Sequence, residues 1–186
     1  YPKGLFFGGH KKEPLVRPLT NLLQRFGEEA NHIFHIDLHT GYGEKGKLHF
    51  YGPTQKNKDS TKALKKIFKD HSVVTGDDQD FYRTYGDFTQ YPDFLFPSKL
   101  VIGMTFEYGT LDSQTLTGAL ESLKRMRLEN QGHHWGYESK EAKRIIETKF
   151  LRLFYPADVK WRRSIMEKTR EVLPRLIQRF QNFSLN

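Results

Sequence analysis

The chain contains no cysteine, which removes disulfide frameworks, thiolate zinc sites and cysteine nucleophiles while leaving both reducing and oxidising compartments open. No uninterrupted apolar run approaches the ~20 residues that a membrane-spanning helix requires. Internal repeats and low-complexity tracts are absent. No glycine-rich phosphate loop with lysine, no nucleophile elbow and no dinucleotide fingerprint occurs, so kinase, serine-hydrolase and Rossmann readings have no support. An initiator methionine and a charged-then-apolar leader are also missing, since the chain opens on Tyr1-Pro2-Lys3-Gly4. The expectation is that a signal peptide or a longer upstream segment has been removed, and the compartment stays open.

What is present is globular. With 186 residues, 37% hydrophobic and 28% charged, the chain can bury one continuous core, and a single domain is expected. The net charge of +8 is uneven. Residues 121–186 carry fifteen Lys/Arg against eight Asp/Glu, whereas residues 1–120 carry fifteen against fourteen. On helices such a surplus is ordinarily a solvated face, and nucleic acid is not expected as a partner, although binding of an anionic polymer by the basic C-terminal helices is a third functional hypothesis. No feature fixes the oligomeric state.

Element types alternate along the chain. Leu15, Leu19, Leu22, Leu23, Phe26 and Ala30 follow helical spacing and predict an amphipathic helix over 14–30, with Pro18 in its first turn. Residues 32–38 and 47–51 read as strands, joined by a turn that Gly41, Gly43 and Gly46 supply. Ser60 is placed to cap a helix bearing Ala63, Leu64, Ile67 and Phe68. A short strand follows at Val73-Val74. Residues 76–97, rich in Asp, Tyr, Phe and Gly, lack a period and predict a long surface loop of the kind used as a lid or binding loop. A strand over 99–108 comes next. Asp112 is expected to cap a helix with Leu116, Ala119, Leu120, Leu123 and Met126 on its core face, followed by helices over 139–154 and 158–181, the last kinked at Pro174. The predicted class is α/β: a mixed sheet flanked by helices, with a helical C-terminal extension.

Two strand ends deliver chemically capable side chains to glycine-containing turns. His39 follows Ile36-Asp37-Leu38 and precedes Thr-Gly-Tyr-Gly; neutral imidazole is the commonest metal ligand. Asp37 is expected on the opposite strand face. A structural histidine bonded to a backbone carbonyl is the competing reading of His39 alone. Glu107 ends the apolar run Leu100-Val-Ile-Gly-Met-Thr-Phe, where partial desolvation would lift a carboxyl towards the range of a general base. A strand-end glutamate paired with Lys or Arg is the alternative. Gly103 signals close backbone approach or a bulge. His32 and His35, three apart on a strand, point to opposite faces, and His133-His134 beside Trp135 sit at a helix terminus where a cation suits the dipole.

Asp37-Leu-His39-Thr-Gly41, with Thr105-Phe-Glu107-Tyr-Gly-Thr110 downstream, resembles the catalytic half of the zinc carboxypeptidase superfamily, the M14-like metallopeptidases. Within it the resemblance is to the DUF2817 branch of bacterial proteins, related to succinylglutamate desuccinylase and aspartoacylase. The opening Tyr1-Pro-Lys-Gly-Leu-Phe-Phe-Gly-Gly9, the stretch Arg127-Leu-Glu-Asn130, and Pro156-Ala-Asp-Val-Lys-Trp161 are similar to the same branch. The resemblance implies a zinc carboxypeptidase-like fold and a zinc-dependent amide hydrolase acting on a short peptide or an acylated amino acid. It makes His39 the third zinc ligand and Glu107 the general base, which deprotonates the attacking water and protonates the leaving amine. It also places a mobile tyrosine over the substrate, with Tyr85 the candidate and Tyr82 and Tyr91 competing. The family's other two ligands come from an upstream His-x-x-Glu motif, and most of that half is absent, so the chain is expected to be the C-terminal portion of one catalytic domain. His10-Lys-Lys-Glu13 spells the motif but falls on the wrong side of a predicted helix. The alternative function is a non-catalytic binding domain on the same fold that has lost the metal site.

Overall fold

The computed structural model describes residues 1–53, 58–76 and 86–183. Along them run α1 (Val16–Gly27), β1 (His32–Gly41), β2 (Leu48–Gly52), α2 (Lys58–Ile67), β3 (Val73–Thr75), a 3-10 turn (Phe88–Gln90), α3 (Tyr91–Leu95), β4 (Leu100–Gly109), α4 (Leu116–Trp135), α5 (Lys140–Phe154) and α6 (Val159–Gln181). The strands form one mixed sheet in the order β1-β4-β2-β3, an α/β fold. β2 and β3 pair in parallel, with Phe50 opposite Val73 and Gly52 opposite Thr75. Among the described residues no helix is long and apolar enough to cross a membrane.

The chain divides into two compact units. One comprises residues 14–39, 48–107 and 167–186. Its centre is β4, buried along its whole length, and that is why the strand reads as a nearly continuous apolar run instead of an alternation. Ile102, Met104 and Phe106 are at most 1% exposed. Phe106 meets Phe50 edge-on at 4.9 Å. Phe34 of β1 meets Phe68 at 6.1 Å and Phe180 of α6 at 5.3 Å. The α2 stripe Ala63, Leu64, Ile67 and Phe68 is buried as its spacing predicts; Ser60, expected as a cap, lies inside the helix and is itself buried. Arg179 ties α6 to the end of α2 through the Ile67 carbonyl (3.1 Å) and Asp70.

The other face of β4 carries Gly103, Thr105 and Glu107, because alternate strand residues share a side. The 3-10 turn covers the start of this face. A Cβ on Gly103 would lie 2.4 Å from the Thr89 carbonyl oxygen, so the close approach read from Gly103 is real and only glycine accommodates it. Thr89 Oγ1 and Thr105 Oγ1 share a buried hydrogen bond of 2.7 Å. Within the expected loop of 76–97, residues 86–97 hold the 3-10 turn and α3, with Pro92 at the first turn of α3, where a missing N–H costs nothing, and 77–85 lie outside the described residues. In α1 the ring of Phe96 occupies the space that a Cβ on Gly27 would need, whereas Leu22 and Phe26 remain exposed. The apolar stripe of α1 is thus only partly covered in the described structure.

The second unit comprises residues 1–13, 40–47 and 108–166. Thr110, 1% exposed, donates through Oγ1 to the carbonyls of Leu153 (2.6 Å) and Gly41 (3.0 Å). The buried indole of Trp161 donates to the Gly109 carbonyl at 2.8 Å. Two expectations fail here. Thr115, not Asp112, caps α4, its side chain accepting from the Gly118 N–H, while Asp112 accepts from the Lys45 N–H at 2.7 Å. The leucines expected to face the core, Leu116, Leu120 and Leu123, are exposed, and α4 instead buries Gly118, Ser122 and Gly132. The reason is steric: the Tyr137 ring stands where a Cβ on Gly132 would be, and the carbonyls of Leu111 and Asp112 crowd Gly118 in the same way. Only the small-residue side of α4 permits such contacts. α6 continues past Pro174 to Gln181.

Candidate functional site

Strand pairing brings the two motifs together. β1 and β4 are neighbours in the sheet, and His39 and Glu107 each stand two residues before the end of their strand. His39 Nδ1 lies 3.6 Å from Glu107 Oε2. That is beyond a normal hydrogen bond and well within the range of a strong charge interaction. Glu107 is buried at 8% exposure, whereas the His39 side chain keeps 44% of its surface in solvent. The pair therefore combines an accessible imidazole with a largely desolvated carboxylate.

A third group completes the cluster. His39 Nε2 donates to Asp37 Oδ2 at 2.9 Å. This corrects the expectation that Asp37 faces away: residues two apart on a strand share a side, and Asp37 and His39 obey that period. Held between the two carboxylates, the His39 imidazole is pushed up to about 9, first by Glu107 and next by Asp37, against the opposing effect of partial burial. Without a metal its ring is an imidazolium at neutral pH.

The same alternation places His35 on this side of β1. Its ring meets Phe88 edge-on at 5.1 Å, its Nδ1 is buried with no hydrogen-bond partner, and burial holds the group below the ordinary histidine range. His32 points the other way, against Phe183 at 6.4 Å, as the odd spacing of the two predicts.

Tyr85 and Tyr82 lie outside the described residues. Tyr91 contacts Thr20 Oγ1 through its hydroxyl at 2.7 Å and stacks on Phe88 and Phe94, which makes it a packing residue of α3. His10 meets Phe7 edge-on at 4.9 Å, and His10 and Glu13 belong to the unit of residues 1–13, 40–47 and 108–166. His133 and His134 occupy the last turn of α4, where a helix dipole accommodates cations.

The donor set can be compared with the needs of a zinc-type ion. In kind it fits: metal-ligating histidines characteristically hold a carboxylate on the ring nitrogen that does not bind the metal, and Asp37 occupies that position on His39. In number it falls short, because among the described residues no group of three or more His, Asp or Glu side chains could hold an ion, and a catalytic zinc takes three protein ligands. His39 can supply one.

A family model described as "Protein of unknown function (DUF2817)" matches residues 1–168. The chain belongs to the DUF2817 family. No curated protein and no solved structure matches it. The DUF2817 match takes in both strands of the His39 and Glu107 site and ends inside α6.

Proposed function

We propose that this DUF2817 chain carries the hydrolytic half of a metal-dependent amide hydrolase, with the zinc carboxypeptidase-like fold and M14-like kinship that its motifs suggest, acting on a short peptide or an acylated amino acid. One observation carries the reading: an imidazole whose far nitrogen is anchored on Asp37 faces a buried carboxylate, Glu107, at 3.6 Å. In this reading His39 supplies a ligand to a zinc-type ion, and the remaining ligands are not among the described residues. An ion held there by His39 and further ligands would supply Lewis acidity. Glu107 takes the proton of the attacking water and returns it to the departing amine, so the C–N bond breaks with a neutral leaving group.

The test is zinc content and turnover of the full-length native polypeptide. His39→Ala should lose stoichiometric zinc, while Glu107→Gln should keep the metal and lose ~10²–10⁴-fold in kcat, the usual contribution of a general base. Zinc that is stoichiometric and unaffected by His39→Ala would refute the ligand assignment. The shortfall of donors among the described residues favours one second reading, a binding domain on the same fold without chemistry. A full-length polypeptide that neither binds zinc nor hydrolyses acylated amino acids, yet retains a small-molecule ligand, would establish it.

A further inference from the structure

We infer that His49 and Tyr51 of β2 are the specificity-determining residues of this site, seating an uncharged aromatic group of the ligand beside Glu107. A bulge fixes the register of β2 against β4. Gly46, at φ +75°, donates its N–H to the Gly109 carbonyl at 2.9 Å, and the Gly109 N–H donates to the Lys47 carbonyl at 3.1 Å. Two residues of one strand therefore answer one of its neighbour, with glycine at the left-handed position of a G1 bulge. Counting on from the Lys47 and Gly109 pair in antiparallel register sets Phe50 opposite Phe106, and those rings do meet at 4.9 Å on the core side. The same count sets His49 opposite Glu107 and Tyr51 opposite Thr105, on the polar side. The row of His39 and Glu107 thus continues across β4 to a third strand.

The composition of this face selects the group it takes. No position of β1, β4 or β2 on this side is Lys or Arg, while Asp37 and Glu107 both lie there and flank the His39 imidazole. An acidic group would meet two carboxylates and no guanidinium or ammonium. His49 and Tyr51 offer the converse. Their rings stack with centroids 6.1 Å apart and planes 23° from parallel, and both residues are half-buried. Aligned rings that stand outside the apolar core suit edge or face contact with a further ring, which is worth more than its buried area alone. The Thr105 hydroxyl beside Tyr51 is held by Thr89 at 2.7 Å, so the second row presents mainly the Tyr51 ring. Recognition of this kind needs no metal; its link to turnover rests on the hydrolase reading of Glu107.

The experiment compares wild type, Tyr51→Ala, Tyr51→Phe and His49→Ala in the full-length native polypeptide. The probes are N-acetyl-L-phenylalanine, N-acetyl-L-alanine and N-acetyl-L-aspartate, which share an amide and an α-carboxylate and differ only in side chain. Wild type should show its lowest KM with the phenylalanine probe. Tyr51→Ala and His49→Ala should each raise that KM by ~3–10-fold, the order that an aromatic pair contributes. In both variants kcat, and the KM of the alanine probe, should stay within about twofold of wild type, as expected for lost ligand binding alone. Tyr51→Phe keeps the ring and should restore the wild-type KM. Values of KM that rise equally for the phenylalanine and alanine probes, an unchanged KM in both alanine variants, or a wild type that prefers the aspartate probe would overturn the assignment. If no probe is turned over, the failure lies with the hydrolase reading, and binding decides by saturation-transfer NMR. Transfer to the phenyl protons that is present in wild type and Tyr51→Phe and reduced in Tyr51→Ala supports the inference; transfer absent from wild type, or unchanged in Tyr51→Ala, overturns it.

Discussion

The charge state of His39 in the metal-free protein tests the site's electrostatics most directly. Two carboxylates flank the ring at 2.9 and 3.6 Å, and together they push its pKa up to about 9 from an unfolded value near 6.5. The sign follows from linkage. A group whose folded pKa is raised binds its proton more tightly in the native state, so its stabilisation is fully present below pH ~6.5 and is lost as pH rises through ~9. Because the His39 side chain is 44% exposed, solvent screening limits the amount to about 1 kcal/mol or less, as for other exposed ion pairs. Removing Glu107, the larger contributor, by Glu107→Gln should bring the titration down towards the ordinary range, and Asp37→Asn should move it in the same direction by less. The assay is an NMR titration of the His39 ring in metal-free wild type and both variants, with denaturation measured on either side of the window. A wild-type pKa at or below 6.5, or a Glu107→Gln variant that titrates with wild type, would refute the account.

Gly103→Ala drives a Cβ to 2.4 Å from the Thr89 carbonyl and should cost ~1–3 kcal/mol in chemical denaturation, the range for overpacked sites; a loss near zero would show that the turn over β4 yields easily. Thr110→Val keeps the shape but takes the side-chain donor from the Leu153 carbonyl, while the Gly41 carbonyl keeps the Thr110 N–H, for an expected loss of ~1–3 kcal/mol. Trp161→Phe removes the 2.8 Å bond to the Gly109 carbonyl, which keeps the Gly46 N–H at 2.9 Å, and should lower stability by ~0.5–1.5 kcal/mol. Leu120→Lys, by contrast, should change the stability of the isolated chain by no more than ~0.5 kcal/mol, because an exposed α4 position makes no core contact; a large loss would return Leu120 to the core.

Local pattern was enough to delimit most elements and both site strands. The apolar run Leu100–Phe106 announced a buried strand, and the α2 stripe announced its inward face, because those signals depend on a backbone period that every residue shares. Asp37 was misassigned although the same period decides it, and the correct count of two along β1 would have paired it with His39 from sequence alone. The α4 face was not legible in that way. Its leucines carry the stronger hydrophobic signal, but contact with Tyr137 and the turn at Leu111-Asp112 demands glycine, and a partner's shape does not appear in a helix's own periodicity. The proximity of His39 to Glu107 belongs to the same class. Sequence determined that an imidazole and a carboxylate each end a strand at a glycine turn; only the strand order, which sets β1 beside β4, decided that the two stand 3.6 Å apart, since strand order arises from long-range pairing that no local segment encodes.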